Sequence, residues 1–103
     1  MRMWMIPCEQ MCNKHLLGEH VELHMLVGSI KKNKNIKGFL NGLVNVQEIE
    51  PRHAEIVQEM QKRGMNHKSE IPKFNSYLKG YVNIEENKQE LKNRCPKCRE
   101  LIK

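Results

Sequence analysis

Leu16, Leu23, Val27 and Ile30 fall within one arc at ~100° per residue, and that stripe commits the first third of the chain to an amphipathic helix. The helix is predicted over Cys8–Ile30. Pro7 suits its first turn, where the missing N–H has no intrahelical partner anyway. Gly28 and Ser29 weaken its end, and the run Lys31, Lys32, Asn33, Lys34, Asn35 leaves it. His20 borders the apolar arc.

What can pack on that stripe is limited by composition. The chain has 103 residues, 39% hydrophobic and 5% aromatic. It is long enough for one domain and too short for two independent cores. The core must rest on Leu, Ile, Val and Met. No apolar run approaches the ~18 residues needed to span a membrane. Met1 to Pro7 lacks the apolar region and small-residue cleavage site of a signal peptide, so the expected location is intracellular, cytoplasmic. The net charge is +6, and every acidic residue is Glu. A small basic domain favours a polyanionic partner, because each neutralised phosphate releases a counterion.

Beyond the first helix, residues 31–49 read as a loop with one short helical turn. A second helix is predicted from Glu50-Pro51 through Arg63, with Ile56, Val57 and Met60 facing inward. Gly64 suits the left-handed position that closes a helix, and Lys62 and Arg63 suit the negative end of its dipole. Residues 65–82, with His67, Pro72, Phe74, Tyr77 and Tyr81, read as a loop ordered by its aromatics. Asn83 with Glu86 resembles a capping box that starts a third helix running to Asn93. The expected fold is all-α: a single domain over 1–103, three helices, monomeric, with a cysteine-containing tail over 94–103.

The stretch HLLGEHVELH, His15 to His24, divides in two on a helical wheel. His15, Glu19 and Glu22 share one face. Two carboxylates beside a His can hold one Glu at a raised pKa, as general acid/base work requires. His20 and His24 share another face. A zinc-protease helix needs H-E-x-x-H, whereas Glu22 stands two residues from each His and points away from both. The expectation is therefore that His20 borders the core and His24 is solvated.

Arg2, the run His15-Leu16-Leu17-Gly18-Glu19-His20-Val21-Glu22-Leu23, and Lys62-Arg63-Gly64-Met65-Asn66 together resemble the pyrimidine-dimer DNA glycosylases of the phage endonuclease V type. The specific part is the H-L-x-x-E-x-x-E-L core at its distance from an N-terminal Arg. The likeness runs through the first two helices, with a weaker middle. It implies a small, basic, all-α enzyme that acts on double-stranded DNA carrying damaged or abasic sites, with no cofactor for catalysis. It also implies that the α-amine of Met1 is the nucleophile, that Glu22 is the essential carboxylate, and that Arg2 stands beside the amine. Met1 is normally retained before a side chain as large as Arg2. His15 would position the site, and Glu19 would be structural. Phosphate contacts are expected from Lys31, Lys32, Lys34, Lys37, Lys62, Arg63 and Lys68. Phage members carry Arg immediately before the catalytic Glu and again three residues after it; here these positions are Val21 and Met25. The aromatic C-terminal tail of phage members is also missing.

An α-amine, with a pKa of ~7.7–8.0, is partly neutral at pH 7, whereas a Lys at ~10.4 would need strong desolvation to match it. The implied chemistry is thus available to a chain terminus without a metal.

Cys8 and Cys12 stand four residues apart near the start of the first helix, and Cys95-Pro-Lys-Cys98 is a knuckle-like C-x2-C. If Cys8 and Cys12 are helical they point one way. The four thiolates, Cys8, Cys12, Cys95 and Cys98, would then hold a structural zinc that ties the tail to the helix. The alternative to an enzyme is a non-catalytic basic DNA-binding module stapled by that zinc.

Overall fold

The computed structural model describes residues 2–66, 70–76 and 78–102. Four α-helices dominate it: α1 (Asn13–Lys31), α2 (Ile49–Lys62), α3 (Ile84–Arg94) and α4 (Pro96–Leu101). Two short strands, β1 (Asn41–Gly42) and β2 (Tyr81–Val82), pair in parallel with Asn41 opposite Tyr81. Among the described residues no helix is long and apolar enough to cross a membrane.

The first helix starts later than its apolar stripe predicts. Cys8–Gln10 forms a single 3₁₀ turn, Met11 and Cys12 are extended, and α1 begins at Asn13. The reason is competition for backbone groups. The Cys12 amide donates to Cys98 Sγ at 3.3 Å, and the Arg63 guanidinium takes the carbonyls of Cys8 and Met11 at 3.1 and 2.8 Å. Groups that would have extended the helix are bonded to side chains instead. From Asn13 onward the stripe behaves as expected: Leu16, Leu23, Val27 and Ile30 are buried, together with Glu19, His20 and Leu26. Asn33, at φ 57, then turns the chain away from α1.

The connection to α2 contains two short 3₁₀ turns, Lys37–Phe39 and Val46–Glu48, rather than one. α2 packs on α1 through Ile49, Arg52, His53, Ile56 and Met60, while Val57 is half-buried. Gly64 takes φ +77, and the Met65 amide reaches back to the Met60 carbonyl at 2.9 Å, closing the helix as expected. The chain entering β2 approaches so closely that a Cβ on Gly80 would lie 2.2 Å from the Val44 carbonyl oxygen. Phe74 packs against the core, whereas Tyr81 is exposed and bonds Asn41; Tyr77 lies outside the described residues.

α3 starts at the expected cap: Asn83 Oδ1 accepts from the Glu86 amide at 3.1 Å. The cysteine-containing tail, expected beyond three helices, forms a fourth one over most of its length. Cys95 is its N-cap and Pro96 its first residue, the position where proline is best tolerated. α4 packs back on α3 and on the Cys8–Gln10 turn.

Candidate functional site

The N-terminal segment is built into the body of the protein. Met3, Trp4 and Ile6 are buried. The Met3 amide donates to the Leu43 carbonyl at 2.8 Å. Asn87, buried on α3, donates its side-chain amide to the carbonyls of Met3 and Trp4 at 3.1 and 2.9 Å. An extended segment with no helical partners thus has its backbone groups satisfied from two sides. Met1 lies outside the described residues. Arg2 is half-buried, its guanidinium 4.5 Å from the centre of the Trp4 ring. Its Nε is buried and has no hydrogen-bond partner among the described residues. The cleft beside it is lined by Glu85, Glu86, Gln89 and Glu90 of α3.

Three residues grouped by the helical wheel have different partners. Glu19 is buried and accepts from Arg52 Nε at 2.7 Å and from Nη2 at 2.9 Å. Burial acts to lower the Arg52 pKa, but the hydrogen bond and charge of Glu19 outweigh it and hold the guanidinium above its ordinary value. Glu22 is half-buried, and its Oε2 is buried without a hydrogen-bond partner among the described residues. His15 faces a cysteine cluster. Val21 and Met25, flanking Glu22, form an exposed apolar stripe with Leu17.

The cysteine cluster is Cys12, His15, Cys95 and Cys98, whose ligand atoms all lie within 4.8 Å of one another. Cys12 Sγ is 3.2 Å from His15 Nδ1 and 3.8 Å from Cys95 Sγ, and Cys98 Sγ is 3.7 Å from His15 Nδ1. With Zn–S of ~2.3 Å and Zn–N of ~2.0–2.1 Å, tetrahedral edges would be about 3.8 Å between sulfurs and about 3.6 Å from sulfur to nitrogen. The Cys12–Cys95 edge matches, the two sulfur–nitrogen distances fall on either side of the ideal, and the cluster could hold a zinc ion. Cys8, expected as the fourth ligand, is not in it. The break between the 3₁₀ turn and α1 carries Cys8 to the Arg52–Glu55 side, where burial pushes its thiol up to about 11. His15 takes its place.

The environment suits ligation unevenly. Burial, then the charges of Lys14 and Arg94, lower the His15 pKa and favour the neutral imidazole that binds metal. The Cys98 backbone amide bonds Cys95 and holds that thiol below its ordinary value, while burial pushes Cys98 up to about 12. Trp4 links the cluster to the N-terminal segment: its ring is edge-on to His15 at 6.1 Å and lies 5.5 Å from the Arg94 guanidinium. A cleft of about 900 Å³ opens over the cluster, lined in part by Lys14, Arg63, Arg94 and Lys97.

Of the residues expected on phosphates, Lys31, Lys32, Lys34, Lys37 and Lys62 are exposed. Arg63 is occupied inside the protein: it pairs with Glu59 at 2.9 Å and bonds Asn13 Oδ1 at 2.9 Å as well as the two carbonyls above. Lys68 lies outside the described residues. His20 is buried, as expected. His24 is half-buried rather than solvated, and both face His53 of α2.

No curated protein and no solved structure gives a match to the chain. A family model described as pyrimidine dimer DNA glycosylase matches residues 1–73, a span that takes in the N-terminal segment, α1 and α2 and stops short of α3 and α4. The chain belongs to the pyrimidine dimer DNA glycosylase family.

Proposed function

We propose that the protein excises cyclobutane-type damaged pyrimidines from duplex DNA through an imine with its α-amine, then cleaves the strand. The neutral amine of Met1 attacks C1′, and the glycosidic bond breaks as the base leaves with the bonding electrons. Glu22 steadies the cationic sugar and protonates the ring oxygen as the sugar opens. The amine sheds its proton to become the C1′ imine. That imine acidifies the 2′ proton, whose removal expels the 3′ phosphate by β-elimination. Lys31, Lys32, Lys34, Lys37 and Lys62, with Lys68, hold phosphates, and Arg63 is left out because its donors are used internally.

The observation that carries this reading is Glu22 Oε2, a buried carboxylate oxygen with no protein donor among the described residues, in the part of the chain that the family covers. The test is borohydride trapping on abasic and on cyclobutane-dimer duplexes, beside protein with one extra N-terminal residue. An adduct mapped to Met1 and lost in the extended protein is expected. Adduct on abasic DNA alone would support the lyase and overturn dimer specificity, for which the exposed Val21 and Met25 give a reason. No adduct on either leaves the binding-module reading.

We further propose that Cys12, His15, Cys95 and Cys98 hold one structural zinc that ties α4 to the start of α1. Chelation under reducing conditions should lower Tm, and Cys98→Ser should bind one zinc fewer per chain than wild type; a melt indifferent to chelator would refute this.

A further inference from the structure

Away from the N-terminal segment and the cysteine cluster, three imidazoles converge between α1 and α2. His20 and His24 are one turn apart on α1, and His53 meets them from α2. One ring nitrogen from each lies within 4.8 Å of the other two. His20 Nε2 and His53 Nε2 are 3.2 Å apart. For Zn–N of ~2.0–2.1 Å, the nitrogen–nitrogen edge of a tetrahedron is about 3.3–3.4 Å. That edge is therefore already at coordination distance. The ring centroids are 4.8, 4.9 and 5.3 Å apart, with planes inclined at 59°, 30° and 81°. The rings are thus arranged around a shared point rather than stacked flat. His24 Nε2 is buried and has no hydrogen-bond partner among the described residues, a cost that a bound cation would remove.

We infer that His20, His24 and His53 form a second metal site, taking one borderline divalent ion of the zinc class. The donors are all imidazole nitrogens, which suit zinc, cobalt, nickel or copper and not magnesium or calcium. Three protein ligands leave a fourth position for water. The ion clamps α1 to α2 at the level of His20, about 7.5 Å of helix rise beyond His15, so it is separate from the cysteine cluster. It requires no H-E-x-x-H arrangement, because the third ligand comes from another helix.

The test is zinc stoichiometry of the full chain, apo protein reconstituted with zinc and assayed by elemental analysis, with cobalt as a spectroscopic probe. Wild type should bind two zinc ions, and His24→Gln or His53→Gln one, with the helical circular dichroism retained. Cobalt in the Cys98→Ser variant should show ligand-field bands, with thiolate charge-transfer bands weakened or lost. Imidazole Nε2 resonances of His20 and His53 should shift on zinc addition. If wild type binds a single ion that survives His24→Gln and His53→Gln, the histidine site is overturned and the cysteine site stands. If the single ion is lost in the histidine variants and kept in Cys98→Ser, the histidine site stands and the cysteine site falls. If no zinc is taken up, both fall.

Discussion

Glu19 and Glu22 are less than one turn apart on α1, yet the regions around them treat a carboxylate in opposite ways. On the α2 side, Glu19 is 1% exposed and both its oxygens accept from Arg52. On the other, Glu22 keeps a buried oxygen with no donor among the described residues. An unsatisfied buried acceptor costs about 1–3 kcal/mol. Folding alone supplies no reason to keep it, whereas the catalytic role proposed for Glu22 would. The sharpest way to break the contrast is Glu22→Gln. Turnover on damaged duplex should fall about 10²–10⁴-fold, the range for loss of a positioned acid or base, while Tm holds or rises. Single-turnover kinetics beside a thermal melt measure both, and a variant that keeps full activity would leave Glu22 with no claim to catalysis.

Glu19→Gln should fail in the other currency. Removing one partner of a buried ion pair strands the other, at about 3–5 kcal/mol. Urea unfolding should show that loss, with activity per folded molecule unchanged. Replacing both, Glu19→Leu with Arg52→Met, should recover most of it, because no charge is then left buried alone. If the double variant is as unstable as the single one, packing rather than charge holds α1 to α2 here.

The wheel that grouped Glu19 with Glu22 and His15 could not separate them, since the deciding partners, Arg52 and the tail cysteines, come from far along the chain. The apolar stripe, the Gly64 closure and the Asn83 cap were all readable, because each depends on residues within a turn or two. The start of α1 was not: it is set by Arg63 and Cys98, more than fifty positions away, drawing off the carbonyls and the amide of residues 8–12. That one displacement also accounts for Cys8 standing outside the cysteine cluster, whose fourth ligand atom comes from His15 instead. His53 was missed for the same reason, because a third imidazole on a second helix has no spacing signature. α4 did carry a local signal, Pro96 after Cys95, and six residues were too few to show a periodicity.

Arg63 extends the contrast to the cations. Its guanidinium bonds Glu59, Asn13 and two backbone carbonyls, so it belongs with Arg52 rather than with the surface lysines. Arg63→Ala should lower stability by about 2 kcal/mol, in the range for hydrogen bonds to a charged group, because the 8–12 segment loses its anchor. DNA affinity at a temperature where the variant is folded should change little, and its dependence on salt should not change. A flattened salt dependence would put Arg63 on a phosphate after all.

Lys32→Ala is the complementary and smallest perturbation. Lys32 is exposed where the chain leaves α1, so its loss should change stability by no more than about 0.5 kcal/mol. If it meets one phosphate, the plot of log affinity against log salt should flatten by about 0.9, and undamaged duplex should be affected as much as damaged, since a phosphate contact carries no information about the base. The distinction is then complete on both signs of charge. Groups whose partners lie within the protein move the melt and not the DNA, and groups left open move the DNA and not the melt. A Lys32 variant that shifted stability and left the salt slope alone would show that the open cations on this surface serve the fold, and the basic run after α1 would lose its place in the DNA interface.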